Sequence, residues 1–192
     1  MASMPPDDAS LPGHLYAPWR MAYIRNLEKD PVERDPLAKR FNDCFLCAAA
    51  NHDLAVAELG ETEEESMRRR LVVWRSEHHA CVINRYPYTS GHLLIAPLRH
   101  VADLEELTPE EAADQHEQTV RAIRLLRKVM DPQGFNAGLN LGRCAGAGVP
   151  GHLHRHLVPR WNGDTNFMSV VGTVRIVPQA PDQLWQALRA AM

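Results

Sequence analysis

The sequence predicts an α+β fold: an antiparallel sheet, one long helix and a small C-terminal helix. Three observations predict it. Short apolar runs cluster between residues 71 and 96 and return between 135 and 159. One long amphipathic segment lies between the two clusters, and no strand-helix-strand unit repeats along the chain. At 192 residues the chain is long enough for one sizeable core and short for two. The expected organisation is a disordered terminus over residues 1–13, an arm over 14–40 and one domain over 41–192.

Residues 1–13 are rich in Pro and Asp and lack apolar periodicity, which is the composition of disorder. From Tyr16 to Ile24, aromatic and apolar groups concentrate, as expected of an arm that docks on its own core or on a partner subunit. A polar stretch then runs to about Asn42. The run from Glu61 to Arg70 is acidic and then basic, and reads as a solvated loop or a short helix. Leu71–Trp74, Ala80–Asn84 and His92–Ala96 read as strands, with the turn between the last two at residues 86–91. Thr108-Pro109-Glu110-Glu111 places a hydroxyl at an N-cap, Pro at the first helical position and Glu at the third. The helix that starts there presents Ala113, Val120, Ile123, Leu126 and Met130 on one face and stops at Asp131-Pro132. Two more strands, Phe135–Leu141 and Leu153–Pro159, are joined by a glycine-rich loop over residues 142–151. The last ten residues, Trp185 among them, read as a small amphipathic helix.

Composition excludes some functions. A formal net charge of -3, from 21 basic and 24 acidic residues, gives no broad basic field for a nucleic-acid backbone. No apolar run approaches the roughly eighteen residues needed to span a bilayer, and Asp7 and Asp8 stand where a signal peptide carries positive charge. The expectation is a cytoplasmic protein without a membrane partner. In a reducing compartment Cys44-Phe45-Leu46-Cys47 reads as a metal or redox site before a disulfide, with two free buried thiols as the bland alternative. Cys81 and Cys144 fall in an apolar run and in the glycine loop.

The chemistry concentrates in His152-Leu153-His154-Arg155-His156. On an extended strand the three imidazoles share one face, about 7 Å from neighbour to neighbour, while Leu153, Arg155 and Leu157 line the other. Imidazole titrates near neutrality, so one ring can attack while another donates a proton, and nitrogen attack on phosphorus splits one hard displacement into two. A metal site or a solvated strand face fits the same spacing. Glycines in the preceding loop, Gly146 and Gly148 among them, allow backbone amides to approach phosphate oxygens.

Two blocks resemble a known family. The segment from Gly151 to Arg160 is similar to the signature of the histidine triad superfamily, His-φ-His-φ-His-φ-φ followed by Pro-Arg. The segment from Asn84 to His100 is similar to its second block: Asn, then Pro, Gly-His, an apolar run, Pro and His. Ala17-Pro18-Trp19-Arg20, the loop 145–151 and the tail 161–167 look like a bacterial branch that includes diadenosine tetraphosphate phosphorylases. The chain departs from the family pattern at Ala147, where glutamine is usual, at one extra residue before His152, and at Arg155, which replaces an apolar residue and so predicts a rear face partly exposed or paired with an acid.

The resemblance implies a fold and an activity. The middle histidine, His154, is the nucleophile toward an α-phosphorus, forming a nucleotidyl-histidine intermediate. His156 and His92 bind phosphate or the leaving oxygen, Asn84 meets the ribose hydroxyls, and Asn140 approximates a polar position on the phosphate side. In zinc-containing members the ligands match Cys44, Cys47, His100 and His152, a closed set that makes a structural zinc. The resemblance further implies a homodimer that cleaves a dinucleoside polyphosphate with inorganic phosphate or water as acceptor and no organic cofactor. A nucleotide sensor or interaction module on the same fold is the competing class; retention of all three triad histidines with His92 favours an enzyme. His14, His52, His78, His79 and His116 sit in no motif and are expected to be exposed or locally bonded, and Trp19 and Trp161 are candidates for core, interface or base stacking.

Overall fold

The computed structural model describes residues 35–164 and 179–192. The chain divides into two units, residues 1–30 and 31–192. The expectations of a disordered terminus and a docking arm at Tyr16–Ile24 lie outside the described residues, as do His14, Trp19 and the tail beyond residue 164.

Among the described residues, four short helices precede the sheet: α1 (Pro36–Arg40), α2 (Phe45–Ala50), α3 (His52–Leu59) and α4 (Glu63–Arg69). No amphipathic period marks α2 and α3. Their signal is alanine, the best helix former, at Ala48, Ala49, Ala50 and Ala55, all buried. The acidic-then-basic run is a helix, because Thr62 and Glu65 close a capping box and the charge order follows the helix dipole. It is not simply solvated: Ser66, Met67 and Arg70 are buried. Arg70 donates to Glu61 Oε2 (2.7 Å) and to Asp35 Oδ1 (2.9 Å), and Asp35 also caps α1. One buried guanidinium thus ties the start of α1 to the end of α4.

The sheet contains β1 (Val72–Arg75), β2 (His79–Ile83), β3 (Leu93–Pro97), β4 (Gly134–Leu139) and β5 (Arg155–Arg160), in the order β1-β2-β3-β5-β4. Every neighbouring pair is antiparallel. β2 and β3 are buried along their whole length. The predicted strands are shifted by a residue or two, and the shift matters at β5, which begins at Arg155 and leaves His152 and His154 in the segment leading into it.

Helix α5 (Pro109–Met130) lies across β2, β3 and β5. It starts as the sequence predicts, with Thr108 Oγ1 accepting from Glu111 N–H and Glu111 Oε2 accepting from Thr108 N–H. Its buried stripe differs from the predicted one: Glu111, Gln115, Gln118, Thr119, Ala122, Leu125 and Leu126 face inward and Ala113 is exposed. The first half of that stripe is polar because the sheet beneath presents polar groups. Trp74 Nε1 donates to Gln118 Oε1 (2.9 Å), Arg155 Nε donates to Gln115 Oε1 (3.1 Å), and His79 Nδ1 lies 2.9 Å from Asp114 Oδ2. Arg155 is therefore half-buried, in keeping with a partly exposed rear face, and its partner on α5 is an amide and not an acid.

At the joint between α5 and the strands, Gly91 has φ +81°, and a Cβ there would lie 2.8 Å from both Met130 Sδ and Pro159 Cγ. Only glycine fits that approach, which seats His92 at the entry to β3. Helix α6 (Pro181–Ala190) closes the β1 edge: Trp185 Nε1 donates to Val72 O (2.7 Å) and Arg189 Nη1 to Val73 O (3.0 Å). At the opposite edge, Asn136, Ala137 and Gly138 of β4 are exposed. No helix among the described residues is long and apolar enough to cross a membrane.

Candidate active site and metal centre

The histidine run divides. Leu153 and Leu157 are buried, and the side chain of His156 leaves β5 on the face opposite Arg155. The rings of His154 and His156 lie 4.9 Å apart, edge to face, and the ring of His156 lies 5.2 Å from that of His92. His152 instead turns toward the cysteines and His100. The predicted single row of three imidazoles is therefore two sites, because the extended segment ahead of β5 does not keep the pleat of the strand.

Hydrogen-bond partners set the proton positions at the first site. His92 Nδ1 accepts from Tyr88 N–H (3.1 Å) and from Asn84 Nδ2 (3.2 Å), so its proton sits on Nε2 and is donated to His156 Nδ1 (2.9 Å). His156 then carries its own proton on Nε2, 3.3 Å from Asn140 Nδ2, so the Asn140 amide meets that N–H only when it turns its oxygen toward the ring. His154 Nδ1–H donates to the carbonyl of His152 at 2.7 Å, which leaves a lone pair on Nε2. Burial holds the pKa of His154 below its ordinary value, against the opposing pull of that carbonyl. Burial, with the charge of His154 adding to it, brings His156 down to about 4. At neutral pH the site thus holds a neutral imidazole with an unprotonated Nε2 beside a second imidazole that donates through Nε2–H. A bound polyphosphate anion would raise both pKa values, since an adjacent negative charge favours the imidazolium.

The second site gathers Cys44, Cys47, His100 and His152, whose ligand atoms all lie within 4.8 Å of one another. Nδ1 of His152 lies 3.3 Å from each sulfur, and Nδ1 of His100 lies 3.1 Å from Cys47 Sγ. His152 Nε2–H donates to Pro97 O (2.9 Å), which fixes the tautomer with its lone pair toward the thiols. Burial, followed by the neighbouring Cys44, pushes the Cys47 thiol up to about 12. Two adjacent thiolates are thus unfavourable in the protein alone, and a divalent ion would remove that penalty. Two sulfurs and two imidazole nitrogens in a closed, largely buried set fit a four-coordinate thiophilic ion such as zinc.

Residues 65–163 match the model of the HIT domain family. The chain belongs to the HIT family. The AP-4-A phosphorylase of Mycobacterium tuberculosis is 40% identical over 165 residues, 86% of this chain and 76% of the relative. The asymmetrical bis(5'-nucleosyl)-tetraphosphatase of Schizosaccharomyces pombe is 34% identical over 93 residues, 48% of this chain and 50% of the relative. Among solved structures, a Zn-bound histidine triad family protein from Mycobacterium smegmatis is 30% identical with a TM-score of 0.52, covering 63% of this chain and 82% of that one. A histidine triad nucleotide-binding protein from Sulfolobus tokodaii, 23% identical with a TM-score of 0.53 over 77% of this chain and 91% of that one, shares the fold.

Within this HIT fold the residues singled out from the sequence are distributed as follows. His92, His154, His156, Asn84 and Asn140 converge on one cluster, and Cys44, Cys47, His100 and His152 on the other. Asn84 is engaged with the protein itself, its Nδ2 on His92 and its Oδ1 accepting from Tyr86 N–H (3.0 Å). Gly146 and Gly148 lie exposed on the loop, and the Gly146 N–H is donated to Arg143 O (3.0 Å), so that amide is spent within its own turn. All four cysteines are free. Of the histidines outside the motifs, His79 is fully buried against Asp114 and His52 is buried with Nδ1 unpartnered. Sequence reasoning misses Tyr88, whose ring packs on those of His92 (4.7 Å) and His156 (6.0 Å), and the carbonyls of Pro97 and His152. Tyr88 reads as a turn residue, and a carbonyl has no signature in a sequence.

Proposed function

We propose that this HIT protein cleaves a dinucleoside polyphosphate, with diadenosine tetraphosphate as the substrate of reference, through a nucleotidyl-histidine intermediate. The observation that carries the reading is the Nδ1–H of His154 on the His152 carbonyl (2.7 Å), in a ring kept neutral by burial. The Nε2 lone pair attacks the α-phosphorus, an N–P bond forms, and the bond from phosphorus to the bridging oxygen breaks. Nε2–H of His156 hydrogen-bonds to the departing oxygen, which leaves as a phosphate anion and takes no proton, with His92 holding the His156 ring in place. The ring of His154 gains positive charge as the N–P bond forms, and the carbonyl on Nδ1–H stabilises it. Inorganic phosphate or water then attacks the same phosphorus and frees the histidine. The similarity to a phosphorylase over most of the chain favours phosphate as acceptor.

We further assign zinc to the Cys44, Cys47, His100 and His152 set as a structural cross-link that supplies no step. The resemblance to the family implies a homodimer, which sedimentation of the purified chain distinguishes from a monomer. The deciding experiment for the reaction is product analysis of diadenosine tetraphosphate with and without inorganic phosphate. ADP and ATP formed only with phosphate mean phosphorolysis, and AMP and ATP formed without it mean hydrolysis. No turnover in either condition, with nucleotide still bound, would make the protein a sensor.

A further inference from the structure

His100 is the one exposed member of the four-donor set. It sits on the turn between β3 and α5, and the ties on that turn lie on both sides of it. Ahead of it, Leu98 N–H donates to His78 O (2.8 Å). Beyond it, Val101 O accepts from Leu153 N–H (2.6 Å), which fastens the turn to the segment between His152 and His154. The side chain adjacent to His100 makes the strongest tie. Arg99 lays Nε and Nη2 on the two oxygens of Glu111 at 2.6 and 2.7 Å, and Nη2 also donates to Glu106 O (2.9 Å). Glu106 in turn accepts from the backbone of Ala102 and Asp103, so the far limb of the turn closes on the same point. Glu111 is 5% exposed and is itself fixed by the capping box of α5. A buried carboxylate that keeps its charge needs its cation, and a planar fork meets it in a single orientation.

We propose that Arg99 is a positioning residue for metal binding: docked on Glu111, it sets the turn so that His100 Nδ1 stands at Cys47 Sγ. Arg99 touches no donor atom and acts through the backbone of the residue that follows it. This rests on the zinc assignment above. Groups hydrogen-bonded to metal ligands typically contribute about 10- to 100-fold in affinity, and a residue that acts through the backbone is expected at the lower end, about 10-fold.

The test is competition for zinc between the full-length, zinc-loaded protein and a chromophoric chelator, with thermal melting run in parallel. Arg99→Gln is expected to weaken zinc by about 10-fold. Arg99→Lys should recover part of that loss, because an ammonium keeps the charge and lacks the fork. Arg160→Gln is the control, since it breaks a comparable exposed pair with Asp164 away from the set and should leave zinc affinity unchanged. Should Arg99→Gln fail to fold, Arg99→Lys carries the test by the same comparison. A folded Arg99 variant with wild-type zinc affinity, or a loss equalled by Arg160→Gln, overturns the proposal alone. A wild-type protein that holds no zinc overturns the metal assignment and this proposal with it.

Discussion

His154 owes its unprotonated Nε2 to an acceptor only two residues back in the chain, the carbonyl of His152. Binding and chemistry should therefore separate. His154→Ala is expected to abolish turnover while nucleotide affinity stays within a few-fold, because His92, His156, Asn84 and Asn140 are untouched. His156→Ala should reduce kcat by about 10²–10³-fold, the usual scale for losing a hydrogen-bond donor to a developing anion, without closing the covalent route. Steady-state rates paired with equilibrium binding of AMP check both, and near-normal turnover in His154→Ala would transfer the attack to water. At this scale the sequence was legible wherever a side chain carries the role: His92, His154 and His156 are brought together, as are the four metal-site donors. It was not legible where the main chain carries the role, as at Pro97 and His152, nor in tautomers, which depend on main-chain donors such as Tyr88 N–H on His92 and on partners distant in the chain such as His156.

Among the elements, α2 is the one the proposed zinc would secure. Cys44 is its N-cap residue and makes no capping hydrogen bond, and Cys47 lies one turn in, so both sulfurs leave the same end of a six-residue helix. A helix this short is marginal alone and depends on tertiary ties. Cys44→Ser is expected to lose most of the bound zinc and to lower the melting temperature. Full metal content by elemental analysis would remove Cys44 from the ligand set. The start of α5 was legible because capping is local chemistry, complete within Thr108-Pro109-Glu110-Glu111. Its buried stripe was not, because Gln115 and Gln118 are turned inward by Arg155 and Trp74 of the sheet, and helix periodicity scores only apolar groups. For the same reason β5 was read two residues early: Leu153 continues the alternation of the strand, although its N–H pairs with the Val101 turn instead of a neighbouring strand.

For the molecule as a whole, buried imidazoles make acid the adverse condition. Burial lowers the pKa of His52, His79 and His156, the last to about 4, below the ordinary 6.5. The unfolded chain therefore takes up protons below pH 6.5 that the fold refuses, and stability falls as pH drops from 6.5 toward the folded values. The Glu111 carboxyl, held by Arg99 at about 2 against an ordinary 4.5, contributes above pH 4.5 and loses its contribution between 4.5 and 2. The melting temperature should thus decline from pH 6.5 downward, in advance of the carboxylate range. A melting temperature constant between pH 7 and 5 would contradict the histidine account. The closed β1 edge has a separate consequence. With Trp185 and Arg189 occupying two carbonyls of β1, strand pairing between molecules has β4 as the edge left open among the described residues. A sheet with one usable edge has a valence of one, so such pairing stops at two copies and cannot run on into a fibre.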